Sequence, residues 1–200
     1  IYATMKIILA THNRDKEKEL QISLKGMNIE VISLFDFPEI GDIEETGTTL
    51  LENSLLKSRL VFRKTGIPTI ADDTGLEVDF LNGAPGVYSA RYAGNNVSYK
   101  DNVNKLLIEL EGIPSEKRTA RFRTVITFVD ENQELSTEGH IDGVISESIK
   151  GAGGFGYDPI FFVPHLGKTF AELSSIEKNK ISHRGIALQK LRKILINVLI

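Results

Sequence analysis

The chain has 200 residues, no cysteine and a formal net charge of -3. That length holds one domain, or one domain in two lobes, and the missing cysteines exclude disulfides and thiolate metal sites, which fits the cytoplasm. The negative balance argues against a general binder of polymeric nucleic acid, and no apolar run approaches the ~18 residues of a membrane span.

Ile1 to Thr4 read as a remnant or upstream read-through, leaving 5–200 as the domain, and Ile7 to Ala10 is too short an apolar run for a signal peptide. Lys6 to Ala10 is expected as a buried strand, Thr11 to Asn13 as a polar turn and Arg14 to Lys25 as a helix stopped at Gly26. Ile29 to Ser33 reads as a second strand, followed by an acidic loop from Phe35 to Thr46. Thr49, with Glu52 three residues on, is a capping box opening a helix to about Lys64, which Gly66 and Pro68 end. Thr69 to Asp72 and Leu76 to Phe80 are expected as two strands flanking an acidic turn, and Asn82 to Gly94 as ordered loop. Asp101 to Glu111 has the apolar spacing of an amphipathic helix. Ala120 to Val129 and Leu135 to Glu147 read as a hairpin turning at Asp130 to Gln133. A glycine-rich loop, Gly151 to Pro159, precedes a short strand from Ile160 to Val163, a helical turn from Phe170 to Ser174 and a closing helix from Ser182 to about Val198. Strands alternating with helices, then a hairpin, predict an α/β fold: a mixed sheet flanked by helices, in two lobes with a cleft.

Five clusters carry possible chemistry. Asp72 and Asp73 follow an apolar run and precede Gly75. Buried carboxylates of this kind suit Mg²⁺, which takes one or two carboxylates together with substrate phosphates. If the strand stays extended the two face opposite sides; the plain alternative is an Asx-type turn. Thr11, Asn13 and Lys16 open the first helix, where unpaired N–H groups attract phosphate, or where Thr11 or Asn13 simply caps it. Glu44, Glu45, Thr46 and Gly47 precede Asn53 and Lys57, which share a helix face at i, i+4. That group offers a carboxylate to a metal and a cation to a phosphate, or is an acidic loop beside a solvated face. Phe155, between glycines, can stack on a base and Asp158 can accept hydrogen bonds, although a flexible connection reads equally well. Lys178, His183 and Arg184 complete the set. Arg184 has donors and no acceptor, so it favours a purine with a 6-oxo group over adenine. His183 alone reads more plainly as a helix-start histidine.

Together and in this order, these motifs resemble the inosine triphosphate pyrophosphatase family, from Met5 to about Leu195. The most specific stretches are Thr11 to Lys16, Glu44 to Gly47, Glu52 to Lys57, Ala71 to Leu76, Gly83 to Tyr92, Gly153 to Pro159 and Ser182 to Gly185. The resemblance implies an elongated mixed α/β fold with a cleft between lobes, usually as a homodimer. It implies Mg²⁺-dependent hydrolysis of ITP, dITP and XTP to the monophosphate and pyrophosphate, which cleanses the nucleotide pool. By position it implies that Thr11, His12, Asn13, Arg14, Asp15 and Lys16 bind the triphosphate, with Asn53 and Lys57 nearby. Glu44 and Asp73 would sit at the metal, Asp73 as general base, and Thr74 stands where the family usually has serine. Phe155, Gly156, Tyr157, Asp158, Lys178, His183 and Arg184 match nucleoside-binding positions. His12 and Asp15 depart from the glycine or small residue of many relatives. The rival readings are a pyrophosphatase acting on modified pyrimidines and a nucleotide-binding regulator without catalysis.

Overall fold

The computed structural model describes residues 4–198, so the expected remnant ahead of Met5 lies outside the described residues except for Thr4. Among the described residues, eight strands form one mixed sheet and five α-helices flank it, an α/β fold. The strands are β1 (Met5–Leu9), β2 (Ile29–Ser33), β3 (Thr69–Val78), β4 (Pro85–Gly86), β5 (Thr119–Val129), β6 (Glu134–Ile145), β7 (Phe161–Val163) and β8 (Lys168–Thr169). The helices are α1 (Arg14–Leu24), α2 (Leu50–Thr65), α3 (Tyr99–Glu109), α4 (Ser175–Ile181) and α5 (His183–Val198). The sheet order is β2-β1-β3-β5-β6-β7-β8, with β4 pairing to β3. β1 runs parallel to both β2 and β3, and at the other end β7 runs antiparallel to both β6 and β8.

The chain divides into two compact units. The first comprises Ile1–Asp73, Thr124–Gly139 and Arg184–Ile200. Its sheet segment sorts apolar side chains by the two-residue period of a strand. Ile7, Leu9 and Ile70 share one buried cluster with Leu20 and Leu24 of α1 and with Ala187, Leu188, Leu191 and Leu195 of α5. Ile8, Ala10 and Ala71 pack in another, with Val61 of α2. The second unit comprises Thr74–Arg123 and His140–His183 and has its own core of Leu76, Val103, Leu106, Phe122, Phe161 and Phe170.

The helix caps follow from the sequence. Thr49 and Glu52 form the expected box on α2, and Gly66 ends it in the left-handed conformation. The structure corrects the expected turn at Asp72–Gly75: β3 is one continuous strand of 10 residues. Two carboxylates and a glycine look like turn chemistry, but both aspartates have buried cationic partners that make the extended path favourable. α3 starts two residues early because Ser98 and Asp101 form a further capping box. α4, which the sequence reading left out, is opened by the box of Ser174 and Glu177.

Helix α2 also departs from a simple amphipathic reading. Its buried face carries Asn53, Ser54, Lys57, Ser58 and Val61, whereas Leu51 is exposed. Small hydroxyls make this possible. The Ser54 hydroxyl donates to the Ala71 carbonyl at 3.2 Å, and Ser54 and Ser58 each share a hydrogen bond of 2.9 Å with Thr127. The helix therefore lies close to β3 and delivers an asparagine and a lysine beneath the strand's surface.

Candidate functional site

Extended geometry sends Asp72 and Asp73 to opposite faces of β3, each toward its own cations. On the α1 and α5 face, Asp72 is fully buried, and its Oδ2 lies 3.2 Å from Lys16 Nζ of α1. Arg184, at the start of α5, donates to the same oxygen from Nε at 3.2 Å and Nη2 at 3.1 Å. Its Nη1 donates to Glu19 at 2.5 Å. Burial alone would raise the Asp72 carboxyl, but Lys16, Arg184 and Lys57 reverse that and hold it well below the usual carboxylate range. Arg184 feels the converse: burial opposes its charge, while Asp72 and Glu19 keep it firmly protonated. Lys16 is placed by the helix start, where the Asn13 side chain accepts from the backbone N–H of Asp15 and Lys16.

On the α2 face, Asp73 Oδ2 accepts from the Asn53 amide at 3.2 Å, and Oδ1 lies 3.7 Å from Lys57 Nζ. Lys57 also donates to Glu45 Oε1 at 2.5 Å. The Asn53 carbonyl oxygen accepts from Gly47 N at 2.7 Å and so pins the segment that carries Glu45. A side chain at position 47 would collide there, since a Cβ would stand 2.6 Å from that oxygen. Burial raises the Asp73 carboxyl and Glu45 adds to it, against the pull of Lys57 and Lys16. Burial would lower Lys57, but Asp73, Glu45 and Asp72 outweigh it and leave its proton held more tightly than usual. Among the described residues no three His, Cys, Asp or Glu side chains gather as a ready metal set. The oxygen-only donors nonetheless suit a hard cation that completes its shell with phosphate and water.

The second unit holds a separate polar cluster. Asp158, on the glycine-rich loop, is buried and accepts from Lys178 Nζ of α4 at 2.7 Å and from the Phe155 backbone N–H at 2.8 Å. The Lys178 ammonium stands 4.6 Å from the Phe155 ring centroid, a cation–π contact. Tyr157 donates its hydroxyl to the Ser89 carbonyl, and burial pushes its ionisation well up. His183 stacks on Phe122 with centroids 4.6 Å apart. Gly154 has φ +70, and a Cβ there would fall 2.0 Å from Asp158 Oδ2. Gly154→Ala is therefore expected to lose about 1–3 kcal/mol to overpacking, read as a lower urea midpoint at unchanged slope.

The expected residues divide as follows. Lys16, Asn53, Lys57 and Asp73 come together in the first unit, with Asp72 beside them. Asp158, Lys178 and Phe155 come together in the second. Arg184, expected from sequence as a donor toward a purine 6-oxo group, pairs with Asp72 and Glu19. Glu44 is exposed, and its neighbour Glu45 takes the place on Lys57. Thr11 accepts from Asn13 N, and Asp15 lies half-buried in the first turn of α1. His12 packs edge-on against Phe35, over which the exposed Arg14 also lies, 3.6 Å from the ring centroid. Thr74 follows Asp73 on β3, and Gly156 turns the loop at positive φ. Glu19 was not singled out from sequence. It sits one helical turn from Lys16 and Asp15, a spacing that could have flagged it.

Comparison with known proteins adds to this geometry. The model of the Ham1 family matches residues 7–194. A dITP/XTP pyrophosphatase of Thermoanaerobacter sp. is 53% identical over 188 residues, covering 94% of this chain and 95% of that protein. A dITP/XTP pyrophosphatase of Listeria monocytogenes is 50% identical, covering 96% of each. The solved structure of a HAM1 protein from Coxiella burnetii superposes with a TM-score of 0.89 at 42% identity, covering 96% of this chain and 99% of that one.

Proposed function

The chain belongs to the Ham1 family, and on that premise we propose that it hydrolyses deaminated purine nucleoside triphosphates, dITP, XTP and ITP, to the monophosphate and pyrophosphate. The supporting observation is the arrangement around Asp73: a buried carboxylate whose proton affinity is raised, flanked by Lys57 and held by Asn53. A binder without catalysis needs no such base.

Asp73 accepts the proton of the water that attacks the α-phosphorus. The first turn of α1, from Thr11 to Lys16, receives phosphate through backbone N–H groups and the Lys16 ammonium. Lys16 and Lys57 hold the leaving pyrophosphate. A divalent cation, Mg²⁺ by its preference for oxygen, would be held by Asp73 and the glutamate pair Glu44–Glu45. When bound it neutralises charge on the phosphate oxygens.

The nucleoside end belongs to Phe155, Gly156, Tyr157, Asp158, Lys178 and His183. Lys178 is a donor and Asp158 an acceptor, 2.7 Å apart. A 6-oxopurine presents the complement, an O6 acceptor beside an N1–H donor, and adenine presents the reverse. Each buried group left unpaired by adenine costs about 1–3 kcal/mol, roughly 5- to 150-fold in discrimination. Arg184 supports this chemistry from a distance, by fixing Asp72 beneath Lys16. Residues 5–200 act as one two-lobed catalytic domain, as a homodimer in the cytoplasm. They engage neither polymeric nucleic acid nor a membrane; among the described residues no helix is long and apolar enough to cross one.

The test is pyrophosphate release from a panel of dITP, XTP, ITP, dATP, GTP and modified pyrimidine triphosphates, with and without Mg²⁺. Preference for dITP and XTP is expected, and Lys178→Met should narrow the dITP to dATP ratio at least tenfold. Equal turnover of dATP and dITP by the unaltered protein would refute the reading.

A further inference from the structure

Lys57 stands where a metal ion would have to compete. Its ammonium lies 2.5 Å from Glu45 Oε1 and 3.7 Å from Asp73 Oδ1. It therefore bridges the two carboxylates best placed to hold a divalent cation. Asp73 is held independently of the lysine, and so is the backbone near Glu45. Asn53 grips the other oxygen of Asp73 and, through Gly47, the segment carrying Glu45. The lysine is the adaptable member, a compact charge on a four-carbon stem. The contact with Asp73 is longer than a hydrogen bond, and the Glu45 side chain keeps 22% of its surface open to solvent. The local charges come within one of balance: Asp72, Asp73, Glu45 and Glu19 face Lys16, Lys57 and Arg184. Adding a divalent ion alone to this set means forcing it beside a buried ammonium. Adding a polyphosphate supplies new anionic oxygens that can take the ammonium away.

We propose that Lys57 holds the cation position between Glu45 and Asp73 while no nucleotide is bound, and that an arriving polyphosphate draws the ammonium off and so opens those carboxylates to the metal. The proposal rests on the reading of a divalent cation at Asp73. Metal and triphosphate then bind cooperatively, each tightening the other by the same factor, as linkage requires. The nucleotide-free protein keeps the base neutralised and carries no loaded metal.

The experiment is a titration of the nucleotide-free protein with Mn²⁺, following free ion by electron paramagnetic resonance. Lys57→Met and Lys57→Gln remove the competing charge and should bind one Mn²⁺ at least tenfold more tightly than the unaltered chain. Lys57→Arg keeps a cation and should match the unaltered chain. Adding Asp73→Asn to Lys57→Met should abolish the gain, which places the ion at this carboxylate. Circular dichroism confirms that each variant is folded, and either neutral variant suffices. Unchanged or weaker Mn²⁺ binding in the neutral variants overturns the proposal. Turnover of dITP by the unaltered protein in chelator, with no divalent ion, would instead overturn the metal reading on which it rests.

Discussion

Asp73→Asn is expected to lower the turnover of dITP about 10²- to 10⁴-fold, the contribution typical of a positioned general base, while nucleotide binding measured without divalent metal largely survives. The substitution is a clean one. Asparagine keeps the shape of the side chain, and its carbonyl oxygen can still accept from Asn53. Lys57 loses a partner at 3.7 Å but keeps Glu45 at 2.5 Å. A fall in turnover is therefore assignable to the lost carboxylate, as base and as metal ligand, rather than to a collapsed fold. The pH profile carries a second signature. Burial raises the Asp73 carboxyl above its ordinary value, and Glu45 reinforces the shift. Because the base works only when deprotonated, the acid limb of kcat/KM, which reports the free enzyme, should lie above the ~3.9 of an unperturbed aspartate. Residual activity in Asp73→Asn should lack that limb. Turnover within a factor of two of the unaltered protein, or an acid limb that persists in the variant, would remove Asp73 from the role.

Much of this site was legible because its chemistry is local in sequence. The Asn13 cap at the helix start follows from three adjacent residues, and the shared face of Asn53 and Lys57 from their i, i+4 spacing. The alternation that separates Asp72 from Asp73 follows from strand geometry once the strand is continuous. What was not legible depends on partners distant in the chain. Arg184 reaches Asp72 across 112 positions, and nothing near either residue announces the other. That pairing also explains why a stretch with turn composition runs extended: its charges are satisfied by helices, not by a tight bend. α2 hid its orientation for a related reason. Serines facing Thr127 allow a polar arc to be buried, so the exposed Leu51 marks the wrong side. α4 escaped notice because its one buried residue is a lysine, and the partly buried Ile181 alone sets no apolar period.

Asp72→Asn is expected to destabilise the fold by about 3–5 kcal/mol, the cost of breaking a buried ion pair and leaving its partner uncompensated. Two cations depend on this one carboxylate: Arg184, among the largest fully buried side chains, and Lys16 at 3.2 Å. Glu19 compensates only one face of the guanidinium. Against a typical total of about 5–15 kcal/mol, such a loss should appear as a large drop in urea midpoint. The sign of the pH dependence follows from the depressed Asp72 carboxyl. Its stabilisation is complete above the unfolded value near 3.8 and is lost as pH falls through the lower folded value. The gap between the unaltered chain and Asp72→Asn should thus be full at neutral pH and shrink under strong acid. The double substitution Asp72→Asn with Arg184→Gln removes both charges together. It should cost clearly less than the sum of the single changes, because neither leaves a bare ion behind. Additive losses would mean that Asp72 and Arg184 are neighbours without energetic coupling, and that Lys16 is held in place by something else.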